Sequence, residues 1–289
     1  MDFWTYPTLY SVMRDKVPPK LRDVAAFHSN AMADMAAQGD PIGPKQVDAE
    51  HKWLQDSRPY YHLYPGILGP LLNLALDLDT GAIRPPRRAL CICLPKDHKH
   101  PRLSFECGQV QSILMARGVS QQDQVSHDAI NLFIDVGERV EGFPIHTFRS
   151  FRTTEGCTLQ GELDGLPDHA SAKIGLEVPR PLITDCVRLC ATLCLLADDP
   201  EIIEADVLNK DRQKYLASRD KRFIEKAHRR GKVGWLVGRD LEMSPHYRRG
   251  HFALFWTGSG RQVPKVGWRK GTVVHREQVV KVPTGEMGD

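Results

Sequence analysis

His246 and His251 stand five residues apart in the stretch Pro245-His246-Tyr247-Arg248-Arg249-Gly250-His251-Phe252. Histidine titrates near neutrality, so such a pair beside two guanidinium groups has the equipment for metal-independent acid–base cleavage of RNA. Phe255-Trp256 and Lys265-Val266-Gly267-Trp268-Arg269-Lys270 follow, so basic and aromatic residues interleave along the chain. On adjacent strands alternate residues share a face. A face of that composition also suits RNA binding without catalysis: cations neutralise phosphates while aromatic and guanidinium planes stack on unpaired bases. A third arrangement puts the aromatics into the core of a small unit and leaves the arginines solvated. Residue types and strand period leave all three open.

The remaining candidates for chemistry are weaker. Cys186, Cys190 and Cys194 recur every four residues beside Leu182, Val187, Leu189 and Leu193. Successive helical turns splay three thiolates and no fourth ligand is evident, so buried packing is expected. Cys91 and Cys93 precede Asp97-His98-Lys99-His100, but paired zinc-knuckle spacing is missing, and a strand followed by a solvated loop is expected. No metal and no cofactor is assigned. There is no G-x-S-x-G elbow, no P-loop and no G-x-G-x-x-G after a strand. Thr257-Gly258-Ser259-Gly260 joins two strands and reads as a turn. Asp128, Asp135, Glu138 and Glu141 read as solvated loop charges, with nothing to mark a carboxylate pair in opposed environments.

The elements that would position these residues fall into three groups. Residues 19–38, 45–56 and 67–76 read as helices, the last apolar nearly all round and therefore buried. After Arg84-Pro85-Pro86-Arg87-Arg88 the pattern shortens. Segments 89–94, 103–107, 128–136, 143–151 and 157–163 read as strands of an antiparallel sheet, and 180–197 returns to helix with Pro181 in its first turn. Four strand-like pieces, 233–238, 250–256, 263–268 and 272–280, then form a small antiparallel unit. The expected fold is α+β: a helical N-terminal third, a central antiparallel sheet with a buried helix, and a small β unit at the C-terminus. Residues 1–204 form the body, 205–231 a basic linker or helix, and 232–289 the basic β unit, with Gly250, Gly258 and Gly260 as backbone requirements of its turns.

Composition supports that division. The 289 residues carry 39 Lys and Arg against 36 Asp and Glu, a net charge of +3. Residues 210–281 hold 19 of the basic and only 6 of the acidic side chains, a net of +13, so the rest of the chain stands at −10. A basic segment on an acidic body points to a polyanion or an acidic protein surface as partner. An apolar content of 41% with 5 Trp, 7 Tyr and 10 Phe excludes wholesale disorder. No apolar run reaches the ~18–20 residues of a membrane span. The opening MDFWTYPTLYSVMRDK lacks the order of a secretory signal, and seven cysteines without a C-x-x-C pair suit a reducing, cytoplasmic setting.

The string PHYRRGHFALFWTGSGRQVPKVGWRKGTVV resembles the C-terminal signature of a phage and plasmid family, P-H-x-R-R-G-H-aromatic, then W-x-G-[ST]-G, then V-x-W. Its best-known members are type V-A anti-CRISPR proteins that suppress production of the CRISPR effector nuclease. The specific match runs from 232 to 282 and is diffuse from 89 to 200. The resemblance implies a non-enzymatic silencing protein in a bacterial host. Such a protein recognises the N-terminal segment of a nascent polypeptide at the ribosome and causes loss of its mRNA. The basic unit would face ribosomal or messenger RNA through His246, Arg248, Arg249, His251, Phe252, Trp256, Lys265, Trp268, Arg269 and Lys270, and the acidic body would hold the peptide. Two further readings stay open: a metal-independent ribonuclease using His246 and His251, and a plasmid or phage regulator that binds duplex DNA, although no helix-turn-helix pattern lies near the basic region.

Overall fold

The computed structural model describes residues 6, 8–10, 24–40, 42–56, 58–73, 77–96, 98–106, 108–122, 125–140, 143–164, 169–171, 177–197, 199, 202–206, 234–238, 251–257 and 263–269. Two helices open the described chain, α1 (Val24–Ala37) and α2 (Gly43–Gln55). Pro44 occupies the first turn of α2, and the Asp40 carboxylate accepts the N–H groups of Ile42 and Gly43, both at 3.0 Å. Spacing of three or four residues then puts Val47, Glu50 and Trp53 on the inward face of α2.

Strand β1 (Tyr60–Leu63) leads into the short α3 (Pro65–Leu71) and β2 (Ala89–Cys93). Two short pieces, β3 (Ser104–Phe105) and β4 (Gly108–Gln109), precede three long strands: β5 (Ser112–Gln122), β6 (Val125–Val140) and β7 (Phe143–Arg152). Next come α4 (Leu159–Asp164), the ribbon of β8 (His169–Ser171) and β9 (Glu177–Pro179), and the long α5 (Arg180–Leu195). Strands β10 (Ile203–Asp206), β11 (Gly234–Val237), β12 (His251–Thr257) and β13 (Val263–Arg269) complete the described elements.

Seven strands form one sheet in the order β10-β11-β1-β2-β5-β6-β7, and β12 pairs with β13 in a separate ribbon. The α+β class of the sequence reading stands, with helices first and a mainly antiparallel sheet after. Three local readings change. The sheet is mixed, because β1 runs parallel to both β2 and β11. Strand β11, which the sequence groups with the C-terminal strands, belongs to this large sheet. Its Gly234 is required there, since a Cβ would sit 2.0 Å from the Tyr60 ring. Residues 157–163, read as a strand, are mostly helix α4. The spacing Leu159, Gly161, Leu163 satisfies both periods, and the Thr158 hydroxyl decides for helix by accepting the Gly161 N–H at 3.0 Å. Strands β1, β4, β5, β8, β9 and β10 have no counterpart in the sequence reading.

Both faces of the sheet are covered. On one, Leu90, Ile92, Ile113, Met115, Ile130, Leu132 and Ile134 pack against α3 and α5. The three cysteines of α5, Cys186, Cys190 and Cys194, are buried in this core as its spacing predicts. On the other, Tyr60, Cys91, Leu114, Ala116 and Phe133 pack under α2, whose Trp53 is joined by Tyr6 from the N-terminal segment. Among the described residues no helix is long and apolar enough to cross a membrane.

Candidate functional site: a buried polar row and a basic ribbon

The α2 side of the sheet carries a row of polar residues that register alone brings together. His62 of β1 pairs with Cys93 of β2, Cys93 with Ser112 of β5, Ser112 with Asp135 of β6, and Asp135 with His146 of β7. Five strands thus place five polar or titratable residues at one level of one face. Asp135, fully buried, is not the solvated loop charge that the sequence suggests. Its Oδ1 accepts the Gly137 N–H at 2.8 Å at an irregularity in the β6–β7 register, where a φ of 86° requires glycine. Ser112 is also fully buried, and its hydroxyl has no hydrogen-bond partner.

Helix α2 and the N-terminal segment close this row. Gln46 Nε2 lies 3.2 Å from Nδ1 of His146, 3.2 Å from Oε1 of Glu50 and 3.4 Å from the Tyr6 hydroxyl. The Tyr6 ring stacks on His146 with centroids 4.8 Å apart and meets Trp53 edge-on. Burial raises the Tyr6 phenol well above its ordinary range, helped by the charges of Glu50 and Asp135. Burial likewise pushes the Glu50 carboxyl up to about 8, against the hydrogen bonds from Leu9 and Gln46, and lowers His28 to about 4 with help from His51. His28 and His51 face each other through Nδ1 at 3.2 Å.

Chemically this is a polar row closed off beneath α2. Asp135 stands between Ser112 and His146, so no histidine adjoins the hydroxyl in the row, as an activated nucleophile would need. The aromatic and hydrogen-bonding groups of α2 instead hold the N-terminal segment through Tyr6 and Leu9. Sequence reasoning missed the row because it depends on long-range register. One signal was present: Asn131 and Asp135 interrupt the run Ile130 to Val136, which is apolar on both faces.

The cysteine and histidine candidates are separated. Cys91 and Cys93 lie under α2 with sulfurs 3.6 Å apart. His98 Nε2 donates to the Val110 carbonyl at 2.9 Å, its Nδ1 accepts the His100 N–H, and His100 Nδ1 accepts the Arg102 N–H. These rings shape the loop that delivers Arg102 to Asp185 of α5, where Arg188 Nη1 also bonds at 2.5 Å.

Of the predicted basic residues, His251, Lys265 and Arg269 fall on the β12–β13 ribbon, which lies against α3 and α5. Its register pairs His251 with Arg269 and Phe255 with Lys265, and Phe252 with Trp268 and Trp256 with Pro264. By the two-residue period, positions 251, 255, 265 and 269 share one face and 252, 256 and 268 the other. Basic and tryptophan positions therefore separate. His246, Arg248, Arg249, Gly250, Gly258, Gly260 and Lys270 lie outside the described residues, as do most of 205–231 and the strand expected at 272–280.

Comparison with known proteins adds two findings. Residues 69–276 match the model of the AcrVA2-like family, described as the anti-CRISPR type V subtype A2 family. The chain is also similar to a solved structure described as the crystal structure of AcrVA2, with a TM-score of 0.56 and 15% identity over 86% of each chain. At that identity the likeness speaks for the fold. No curated protein matches the chain.

Proposed function

Because this chain belongs to the AcrVA2-like family of type V subtype A2 anti-CRISPR proteins, we propose that it silences expression of a target protein by recognising the target's nascent polypeptide at the ribosome and causing loss of the encoding mRNA. The observation that carries this reading is the division of charge, +13 within residues 210–281 against −10 elsewhere. The basic segment, with His251, Lys265 and Arg269 on one face of its ribbon, suits phosphates of ribosomal or messenger RNA. The acidic body suits a polypeptide, and its α2 side already holds an N-terminal stretch of the chain through Tyr6 and Leu9.

Co-expression with reporters that share the first codons of the target tests the reading, with transcript levels as readout. Selective loss of the transcript that encodes the recognised segment is expected, and synonymous recoding leaves that loss unchanged. Association with ribosomes falls as salt rises and is weakened in an Arg248→Ala/Arg249→Ala protein. Equal transcript levels with and without the protein, or ribosome co-sedimentation indifferent to both salt and the double substitution, overturn it. Cleavage of labelled RNA by the purified protein in EDTA, abolished by His251→Ala, would favour a ribonuclease instead.

A further inference from the structure

Strand β7 is the last strand of the seven-stranded sheet, and one of its side chains is uncompensated. The Thr153 amide donates to the Asp128 carbonyl, which fixes 151/130, 149/132 and 147/134 as the hydrogen-bonded pairs of the antiparallel ladder. The amides of Phe148, Ser150 and Arg152 therefore turn away from β6, to the outer edge. At Arg152 an acceptor is present: Glu162 of α4 takes the outward N–H at 2.8 Å through Oε2 and the guanidinium at 2.8 Å and 2.5 Å through Oε1. A carboxylate there does what the next strand and its side chain would do together.

Arg149, three residues earlier and on the α5 face, has no such group. Its Nε and Nη2 are buried without a hydrogen-bond partner, and it makes no ion pair among the described residues. Glu162 is committed to Arg152, and Arg180 bonds the Leu163 carbonyl with Asp164 at 3.7 Å. Burial and the neighbouring Arg180 push the Arg149 guanidinium down to about 10, with Glu162 opposing. The hydroxyls of Thr147 and Ser150 are likewise buried and unpaired. Strand β8 lies close to β7 but, among the described residues, pairs with β9 alone.

We propose that the outer edge of β7 accepts an extended polypeptide as an eighth strand, with an aspartate or glutamate of the guest meeting Arg149 as Glu162 meets Arg152. Main-chain bonds to the edge give such a guest affinity, and the charged pair selects it. That the guest is a polypeptide rests on the function proposed above; the requirement for a carboxylate rests on Arg149 alone.

The test uses the full chain and a fluorescein-labelled peptide, acetyl-Thr-Val-Glu-Val-Thr-Val-amide, against the same peptide with Gln for Glu. Anisotropy is expected to show the Glu peptide binding about tenfold more tightly or better, with slowed hydrogen exchange at the Phe148 and Ser150 amides. Arg149→Gln is expected to abolish the preference; should that variant misfold, Arg149→Lys, which keeps the charge but not the fork, is expected to reduce it. Equal binding of both peptides, no binding, protection elsewhere, or a preference untouched by either substitution overturns the proposal. So does concentration-dependent dimerisation that slows exchange at the same amides, which would make a second copy the occupant. A protein that lowers transcript yet binds neither peptide refutes this inference alone. One that binds the Glu peptide yet lowers no transcript refutes the silencing function alone.

Discussion

Glu50 accepts the backbone N–H of Leu9 through Oε2 at 2.6 Å, so a carboxyl with no solvent exposure holds the N-terminal segment against helix α2. The groups around it are Gln46 on its own helix, Tyr6 on the segment, and His28 on α1 with Nε2 at 4.0 Å. Among the described residues no cation lies closer to it than His28, and burial dominates its titration.

This arrangement sets a pH dependence of stability. The folded protein keeps the Glu50 proton up to about pH 8, whereas the unfolded chain releases it near 4.5, so between those values rising pH destabilises the fold. His28 acts oppositely: the unfolded chain binds its proton near 6.5 and the folded one only near 4, so rising pH stabilises the fold across that range. The two offset each other between pH 4.5 and 6.5, and above that only Glu50 still changes. Stability should fall by about 1.4 kcal/mol per pH unit from 6.5 to 8, and Glu50→Gln should flatten that limb. Urea unfolding at a series of pH values measures both slopes.

Tyr6 anchors the same segment through its ring. Tyr6→Ala removes the His146 stack and the Trp53 contact together and should cost roughly 3 kcal/mol. Tyr6→Phe keeps the ring contacts and loses only the long Gln46 contact, so about 1 kcal/mol or less is expected. Urea midpoints followed by circular dichroism separate the two, and equal losses would show that the hydroxyl, not the ring, holds the segment.

Asp185 is a single carboxylate serving Arg102 and Arg188 at a nearly buried site. Asp185→Asn leaves two guanidinium groups without their anion and should destabilise on the order of 3 kcal/mol. Arg188→Met should cost less, since the Nε it removes is a buried donor without a partner. Thermal unfolding of both variants checks the order.

The thiols of α5 should be inert in the native protein. Burial pushes Cys194 up to about 12 and raises Cys186 and Cys190 well above the ordinary range. Alkylation mapped by mass spectrometry should mark partly exposed Cys157 before Cys91, Cys93, Cys186, Cys190 or Cys194, which should react only on unfolding.

Local periodicity carried the features whose signal lies within one element. The four-residue spacing of cysteines and leucines marks the buried face of α5, Pro181 marks its start, and the alternation after Arg88 marks the strands. The separation of charge, and with it the expectation of a polyanion partner, needs only residue identities. What depended on the tertiary fold is everything that joins distant segments. Strand β1 is four residues long and pairs in parallel with residues of β2 and β11 that lie 31 and 174 positions further along the chain, a pairing that no local pattern encodes. The row from His62 to His146 exists because four registers coincide, and a one-residue slip in any of them would turn its members to the other face. Arg149 is an ordinary surface cation by its sequence context. Only the placement of β7 at the edge, with Glu162 already committed to Arg152, leaves its charge without an answer.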